Sequence, residues 1–224
     1  MTTTGSTAAQ DFYGRWAGLY DLLARRTPGI AGLRRRAAAA CRLEAGDTVV
    51  EMGCGTGANL PYLREAVGPE GTVIGVDFTR GVLERARAHT AEYENVHLVR
   101  GDATAPPIPE GVDAVLATFV AGMLSDPAAA VDDWCDLAAD GHVVLLNAAR
   151  SRETYGAPVN AVFRGVVVAS TPPTTKLRYE DDPTARLDAR IDAAHDRLRE
   201  RATAIADETH VFGVVRLTGG KIPA

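Results

Sequence analysis

The chain has 224 residues, enough for one α/β domain but too few for two domains of ordinary size. Hydrophobic residues make up 46% and charged residues 24%, which excludes wholesale disorder and a small disulfide-stapled scaffold. The net charge of -5 and the lack of a basic tail disfavour nucleic acid as a partner. No apolar run reaches the ~18 residues of an integral membrane segment, and the start MTTTGSTAAQ lacks the order of a secretory signal, so we expect a cytoplasmic protein.

Cysteine and histidine usage excludes the common disulfide and metal frameworks. The three cysteines form no C-x-x-C pair, and the five histidines show no metal-ligand spacing. We therefore predict no metal site and no disulfide framework. These residues are Cys41, Cys54, Cys135, His89, His97, His142, His195 and His210.

Two helices are predicted before the first strand. Apolar residues recur at three- and four-residue steps over residues 9–26, which is typical of an amphipathic helix, and Pro28-Gly29 ends it. A second helix is predicted over residues 30–43, where three consecutive arginines form a solvated face. We expect residues 1–44 to form an N-terminal helical cap. The apolar positions are Phe12, Trp16, Leu19 and Leu23, and the arginines are Arg34, Arg35 and Arg36.

After Gly46-Asp47 the pattern alternates between apolar strands and amphipathic helices. Asp126 is predicted to cap a helix with Pro127 at its first position, and Gly141 closes that helix. Several strands are uniformly apolar, so we predict an α/β fold with a parallel sheet covered on both faces. The predicted strands are 48–52, 72–77, 96–100, 113–119 and 142–148, and the other predicted helices are 58–67 and 79–91, the latter capped by Thr79.

The C-terminal third is less regular. The valine-rich residues 158–170 fit either a helix or a strand, whereas residues 184–201 carry apolar residues at helical spacing. Residues 203–211 and 214–217 are predicted to be two final strands around Phe212-Gly213.

The loop after the first strand, Glu51-Met52-Gly53-Cys54-Gly55-Thr56-Gly57-Ala58, is rich in glycine. Its alternate glycines would let a ligand approach the backbone. Taken alone, the loop also satisfies the dinucleotide fingerprint G-x-G-x-x-G/A, and a simple tight turn remains open. The carboxylate of Glu51 would repel a pyrophosphate, so it favours a ligand with a cationic part.

Two further strand ends carry a carboxylate. Asp77 ends the second strand, where a carboxylate can accept two ribose hydroxyls. Asp102 follows the third strand, where it can accept a hydrogen bond from an adenine amine. Either residue could instead cap the segment that follows. Acidic residues at three successive strand ends nevertheless indicate a ligand that joins a nucleoside to a cationic group. Together they are stronger evidence for such a ligand than any one of them is alone.

These segments resemble the class I S-adenosylmethionine-dependent methyltransferases over about residues 45–149. The resemblance is carried by VVEMGCGTGANL (49–60), VIGVDFT (73–79), VRGDATAPPIP (99–109) and DAVLATFVAGML (113–124). The first helix, FYGRWAGLYDLL, resembles the corresponding segment of the ubiquinone/menaquinone C-methyltransferases and of some bacterial phospholipid N-methyltransferases. The resemblance implies a Rossmann-like, doubly wound, mostly parallel seven-stranded sheet with helices on both faces, over a domain of residues 45–224. It also implies S-adenosylmethionine as the methyl donor.

The resemblance assigns a role to each residue of the donor site. Glu51 and the loop carbonyls would face the methionine amine and sulfonium, and the loop glycines would give clearance. Asp77 would hold the ribose, Phe78 would lie against the adenine, and Asp102 would bind the adenine edge with the Ala103 N–H. Thr118 would line the methionine end of the donor. The other assigned positions are in the glycine loop, and they are Gly53, Cys54, Gly55 and Gly57. Cys54 is interpreted as a packing residue rather than as a nucleophile.

The acceptor is predicted to be a small or lipid-like molecule such as a quinone. The segment Thr118-Phe119-Val120-Ala121 lacks the motif of enzymes that methylate nucleic-acid amines. Residues 151–176 are expected to contribute to the acceptor pocket, although the apolar run within them fits a plain core slightly better. Phe119 and Met123 are interpreted as core residues. No general base stands out among the candidates Tyr13, Tyr20, Asp21 and His142, and His142 also fits a structural role.

Three further expectations complete the sequence analysis. The first helix would act as a lid over the strand ends, with Tyr13 and Tyr20 completing the pocket. The chain is expected to be a monomer or a homodimer. Two other functions remain open, namely an NAD(P)-dependent oxidoreductase, which would not need Asp102, and a non-catalytic module that binds the donor.

Overall fold

The computed structural model describes residues 29–170 and 183–224. Strands and helices alternate along them as predicted, with a short 3-10 helix at Ala121–Met123. The strands are β1 (Thr48–Met52), β2 (Thr72–Asp77), β3 (Val96–Arg100), β4 (Ala114–Thr118), β5 (His142–Ala148), β6 (Thr203–His210) and β7 (Val215–Lys221). The helices are α1 (Ile30–Ala40), α2 (Leu60–Val67), α3 (Arg80–His89), α4 (Pro127–Leu137), α5 (Ala157–Ser170) and α6 (Pro183–Arg201).

The strands form one seven-stranded sheet in the order β3-β2-β1-β4-β5-β7-β6. The first five strands are parallel, whereas β7 pairs antiparallel with both β5 and β6. The predicted α/β, mostly parallel seven-stranded fold is therefore confirmed. The strand order reverses between β1 and β4, which makes the carboxyl ends of these two strands the expected ligand crevice.

Apolar side chains pack on both faces of the sheet because its central strands are buried on both sides. On one face, α4 and α6 contribute Trp134 and Leu198 to a core that includes Met52 of β1. On the other face, α1, α2 and α3 cover a second core, to which α2 contributes Leu60 and Leu63. The N-cap at Asp126 is confirmed, since its side chain accepts a 3.0 Å hydrogen bond from the Ala129 N–H.

Helix α1 contributes buried side chains to the core of this fold. Its residues Ala37 and Ala38, followed by Cys41, are buried against the second face of the sheet. The division into a helical cap over residues 1–44 and a domain over residues 45–224 stays a prediction. The solvated arginine face was wrong in part, because Arg34 is buried while Arg35 and Arg36 are exposed. The predicted helix over residues 9–26 lies outside the described residues.

The structure settles the C-terminal assignments that the sequence left open. Residues 157–170 form a helix, α5, and β7 continues to Lys221 rather than ending at Leu217. The two glycines near its carboxyl end allow close packing, since a Cβ at Gly220 would lie 2.4 Å from the Cβ of Ala202. Across residues 29–170 and 183–224, no helix has the length and apolarity needed to cross a membrane.

Candidate functional site

Three polar side chains meet in the crevice between β1 and β4. Glu51 of β1 and Thr118 at the end of β4 are buried there, and Asn59, just before α2, joins them. The Asn59 amide donates one hydrogen bond to Glu51 Oε1 and one of 2.8 Å to Thr118 Oγ1. The Thr118 hydroxyl donates to Glu51 Oε1 at 3.3 Å. Glu51 is therefore held in place through one carboxylate oxygen.

The other Glu51 oxygen, Oε2, is buried without a hydrogen-bond partner among the described residues. Buried polar atoms are nearly always paired, so an orphaned carboxylate oxygen indicates a site for a donor supplied by a ligand. Burial raises the pKa of the Glu51 carboxyl to about 7, while the Asn59 hydrogen bond and the Arg34 guanidinium oppose that rise. A bound cation would favour the ionised carboxylate.

Two residues around Glu51 were not predicted from the sequence: Asn59, which bonds to it, and Arg34, which bonds to Asn59. Asn59 lies in the segment GANL, but no local pattern distinguishes a polar residue before a helix from an ordinary cap. Arg34 donates to Asn59 Oδ1 at 2.5 Å from α1, 25 residues away along the chain. Only the packing of α1 against α2 brings the two side chains together.

The three glycines of the loop serve different purposes. A Cβ at Gly53 would lie 2.8 Å from Val120 Cγ2, and one at Gly57 would lie 3.0 Å from Leu60 Cδ1, so protein packing requires both glycines. Gly55 has a φ of +55° and faces open space, with nothing within 4 Å of a Cβ built there. The space that a ligand could occupy therefore lies at Gly55.

Asp77 ties the glycine loop to the end of β2. Its Oδ2 accepts a 3.0 Å hydrogen bond from the Gly55 N–H, and its Oδ1 accepts one of 2.8 Å from the Thr79 N–H. Burial raises the pKa of Asp77, and these backbone hydrogen bonds oppose the rise. Each carboxylate oxygen has a second lone pair, so the loop contacts do not exhaust its capacity to accept from a ligand.

The loop after β3 presents the predicted adenine-edge residues. Asp102 is exposed, and its Oδ1 accepts hydrogen bonds of 2.9 and 2.8 Å from the Thr104 N–H and hydroxyl, so it does cap its own loop. Trp134, fully buried on α4, donates a 2.7 Å hydrogen bond to the Ala103 carbonyl and anchors the loop. Phe78 is 41% exposed at the end of β2, as a ring that stacks on a ligand must be.

Cys54 points into the second core rather than toward open space. Its sulfur would lie 2.9 Å from a Cβ at Gly75, and burial raises the pKa of the thiol well above its usual value. A protonated, buried thiol is a poor nucleophile. All three cysteines are free and buried.

Apolar side chains are exposed beyond the end of β4. Phe119 is 37% exposed with a φ of +58°, and Met123 is 51% exposed, so the interpretation of both as core residues was wrong. A bulky residue in the left-handed region is strained, and such strain clusters at functional sites. Val162 of α5 is 69% exposed, which does not fit a core role for that part of the helix.

Of the candidates for the general base, His142 is the one that lies within the described residues. His142 is the first residue of β5, paired with the first residue of β4, so it lies at the amino edge of the sheet, opposite the crevice. Four residues of strand, or about 13 Å, separate the level of His142 from that of Thr118. Proposing His142 as a base was therefore wrong. Tyr13, Tyr20 and Asp21 lie outside the described residues.

A polar cavity of about 260 Å³ lies beyond the end of β5. It is formed where the segment after β5 meets α5, α6 and the start of β7. Ion pairs join Arg150 to Asp188, and both Arg152 and Arg216 to Asp192. Within the two described ranges, no group of three or more His, Cys, Asp or Glu side chains is arranged to hold a metal ion.

Comparisons with known proteins agree with this geometry. Residues 49–141 match the family model described as "Methyltransferase domain". An uncharacterized 37.1 kDa protein of transposon TN4556 from Streptomyces fradiae is 34% identical over 87 residues, which cover 38% of this chain and 25% of that protein. Demethylmenaquinone methyltransferase of Staphylococcus aureus is 47% identical over 58 residues, which cover 26% of this chain and 24% of that enzyme.

The chain thus spans about a quarter of the length of the curated relatives it matches. The fold as a whole resembles the crystal structure of a SAM dependent methyltransferase from Aquifex aeolicus, with a TM-score of 0.59 and 18% identity. That likeness covers 88% of this chain and 94% of the other. At this identity the likeness concerns the fold alone.

Proposed function

We propose that this chain, whose residues 49–141 match a methyltransferase domain, is a class I S-adenosylmethionine-dependent methyltransferase that transfers a methyl group from S-adenosylmethionine to a small or lipid-like acceptor. The observation that carries the proposal is the orphaned, buried Oε2 of Glu51 at the switch point of the sheet. An ammonium group is the ligand part that best satisfies such an oxygen, because it brings both a charge and hydrogen-bond donors.

The residues around the crevice fit the whole donor. Glu51 would hold the ammonium, and the open space at Gly55 would admit the chain that links it to the nucleoside. Asp77 would accept the ribose hydroxyls through its free lone pairs, and Phe78 would cover one face of the adenine. Asp102 Oδ2 and the Ala103 N–H would bind the adenine edge.

The same features disfavour a nicotinamide dinucleotide. In dinucleotide-binding folds the pyrophosphate lies at the amino end of the helix that follows the first strand. Here that position holds Asn59, with the Glu51 carboxylate hydrogen-bonded to it. A carboxylate buried beside a pyrophosphate would destabilise the complex by charge repulsion.

S-adenosylmethionine supplies an activated methyl group on a sulfonium when it is bound. The chain therefore has to position the acceptor in line with that methyl group rather than to activate it. Thr118 would line the methionine end. Phe119 and Met123, exposed in the segment that follows Thr118, would offer an apolar surface to the acceptor, which supports a flat, apolar molecule such as a quinone. The match with demethylmenaquinone methyltransferase points in the same direction.

Other segments would complete the acceptor site. Residues 151–176 would form its outer wall, with α5 over part of that length. The segment of residues 1–26 would close over the crevice as a lid, and Tyr13 and Tyr20 would contribute to the pocket. The protein would work in this way as a monomer or as a homodimer.

The proposal is tested by incubating the purified protein with methyl-labelled S-adenosylmethionine and the lipid and small-molecule extract of its host. We expect label in one or a few extract components, and none with a Glu51→Ala variant. Donor binding without transfer to any component would overturn the enzymatic function and leave a donor-binding module. Binding of NAD in place of the donor would point to the oxidoreductase.

A further inference from the structure

Arg34 is a buried cation in a helix that precedes the matched domain. It lies on α1, and only 6% of its surface is exposed. Its guanidinium donates to Asn59 Oδ1 at 2.5 Å. Burying an arginine is costly unless its charge is compensated, so its placement beside the candidate donor site requires an explanation.

The hydrogen bonds of Asn59 form a directed relay. Its carbonyl oxygen accepts from Arg34, and its amide nitrogen donates to both Glu51 Oε1 and Thr118 Oγ1. A flipped amide would turn its NH2 toward the guanidinium, which only donates, and its oxygen toward the carboxylate, which only accepts, so the contacts with Arg34 and Glu51 would both be lost. The donor from Arg34 therefore fixes the one amide orientation that can hold Glu51.

We infer that Arg34 is a positioning residue that acts through Asn59 to hold the Glu51 carboxylate ionised and oriented, with Oε2 directed to the ammonium of the methyl donor. This inference rests on the proposed function, because it assigns Arg34 a part in donor binding. It adds a residue from outside the matched domain to the machinery of the site. Arg34 does not itself touch the donor.

The charges around Glu51 explain why one cation matters. Arg34 of α1 and Asp77 of β2 are the charged groups that shift the pKa of the Glu51 carboxyl. Two thiols also face it, Cys41 just after α1 and Cys54 in the glycine loop, and Glu51 raises the pKa of both. Of these four, Arg34 is the cation, and it lowers the pKa of Glu51 while burial and Asp77 raise it. Without Arg34, the carboxylate would take up a proton at a higher pH and lose its attraction for an ammonium group.

The test is the pH dependence of S-adenosylhomocysteine binding, measured by titration calorimetry from pH 6 to pH 9. We expect Arg34→Met to move the midpoint of affinity upward by about one pH unit or more, the usual effect of removing a nearby opposite charge. With a wild-type pKa of about 7, that shift weakens binding about fivefold at pH 7 and barely at pH 9. A merely structural role would weaken binding equally at all pH values.

The same helix offers a matched control. Arg36 lies two residues further along α1, where it is exposed and pairs with Glu208 at 3.5 Å. Arg36→Met should keep the wild-type pH profile. Arg34→Lys, which retains the charge, should keep the wild-type midpoint even if its affinity is lower. Should Arg34→Met fail to fold, Arg34→Gln removes the charge while keeping an N–H donor for Asn59, and the same shift is expected.

Failure of the inference and failure of the proposed function give different results. If the wild type does not bind S-adenosylhomocysteine, the proposed function is wrong. In that case the Glu51 carboxyl is titrated directly by NMR in protein labelled with 13C-carboxyl glutamate, its signal being assigned by Glu51→Gln. A titration midpoint that is the same with and without Arg34 would overturn the inference in either case.

Discussion

The Glu51 carboxyl should make the unliganded protein less stable as the pH rises. Its pKa is raised from 4.5 to about 7 in the folded state by burial. Between these two values the folded protein holds a proton that the unfolded chain has released, so the free energy of unfolding falls with increasing pH. Each unit of difference between the folded and unfolded pKa corresponds to about 1.4 kcal/mol. The range from pH 5 to pH 8 contains most of the interval between 4.5 and about 7, so we expect a loss of about 2–3 kcal/mol over that range.

Glu51→Gln removes this titration while keeping the size and shape of the side chain. The wild type should therefore lose about 2–3 kcal/mol more than Glu51→Gln over the same interval. Burying the glutamine amide has a free-energy cost that does not depend on pH. It therefore cancels when the change in the free energy of unfolding between pH 5 and pH 8 is compared for the two proteins. The assay is urea unfolding, followed by the fluorescence of the buried Trp134, at several pH values.

A control variant separates the effect of Glu51 from that of general charge. Glu110 is exposed, and Glu110→Gln should follow the wild type across the pH range. Parallel stability curves for wild type and Glu51→Gln would refute the reasoning, because they would mean that Glu51 titrates alike in the folded and unfolded chain.

Three other substitutions address the rest of the site. Asp77→Ala should weaken S-adenosylhomocysteine binding about tenfold or more in calorimetry, since charge-assisted hydrogen bonds contribute about 1.5–3 kcal/mol each. The control is Asp113→Ala, which removes a carboxylate that accepts a 2.7 Å hydrogen bond from the Thr48 N–H at the opposite edge of the sheet. This control should leave the affinity unchanged. Gly55→Val should lower the free energy of unfolding by about 1–2 kcal/mol through backbone strain, and it should abolish S-adenosylhomocysteine binding without unfolding the protein. Retained affinity for S-adenosylhomocysteine would exclude the open space at Gly55 as the donor site. Trp134→Phe should lower the free energy of unfolding by about 2–4 kcal/mol, because it leaves the Ala103 carbonyl unpaired and opens a cavity; a change below about 1 kcal/mol in urea unfolding would contradict the role of that hydrogen bond.

The parallel half of the fold was predictable because its signals are local. Strands β1, β2, β3 and β5 have the predicted bounds, since each is a short apolar run bounded by turn residues. The cap at Asp126 was equally local. The end of β7 was missed because Gly219-Gly220 resembles a turn, whereas these glycines serve close packing against residues far away in sequence.

The candidate site was predictable only where its residues lie at strand ends. Glu51 and Asp77 occupy positions that the order of strands alone brings to one edge. Arg34 and Asn59 were missed because their roles depend on how α1 packs, and a run of three arginines gives no sign that one of them is buried. The exposure of Phe119 likewise follows from a left-handed backbone conformation that its residue type does not favour.

The most direct test of a donor site at the end of β1 is a pair of calorimetric titrations of the wild-type protein at pH 8, where Glu51 is ionised. S-adenosylhomocysteine is expected to give saturable heat with one site per chain. NAD at the same concentrations is expected to give none. Saturable binding of NAD, together with no binding of S-adenosylhomocysteine, would contradict the assignment of the Glu51 crevice to a ligand with a cationic group.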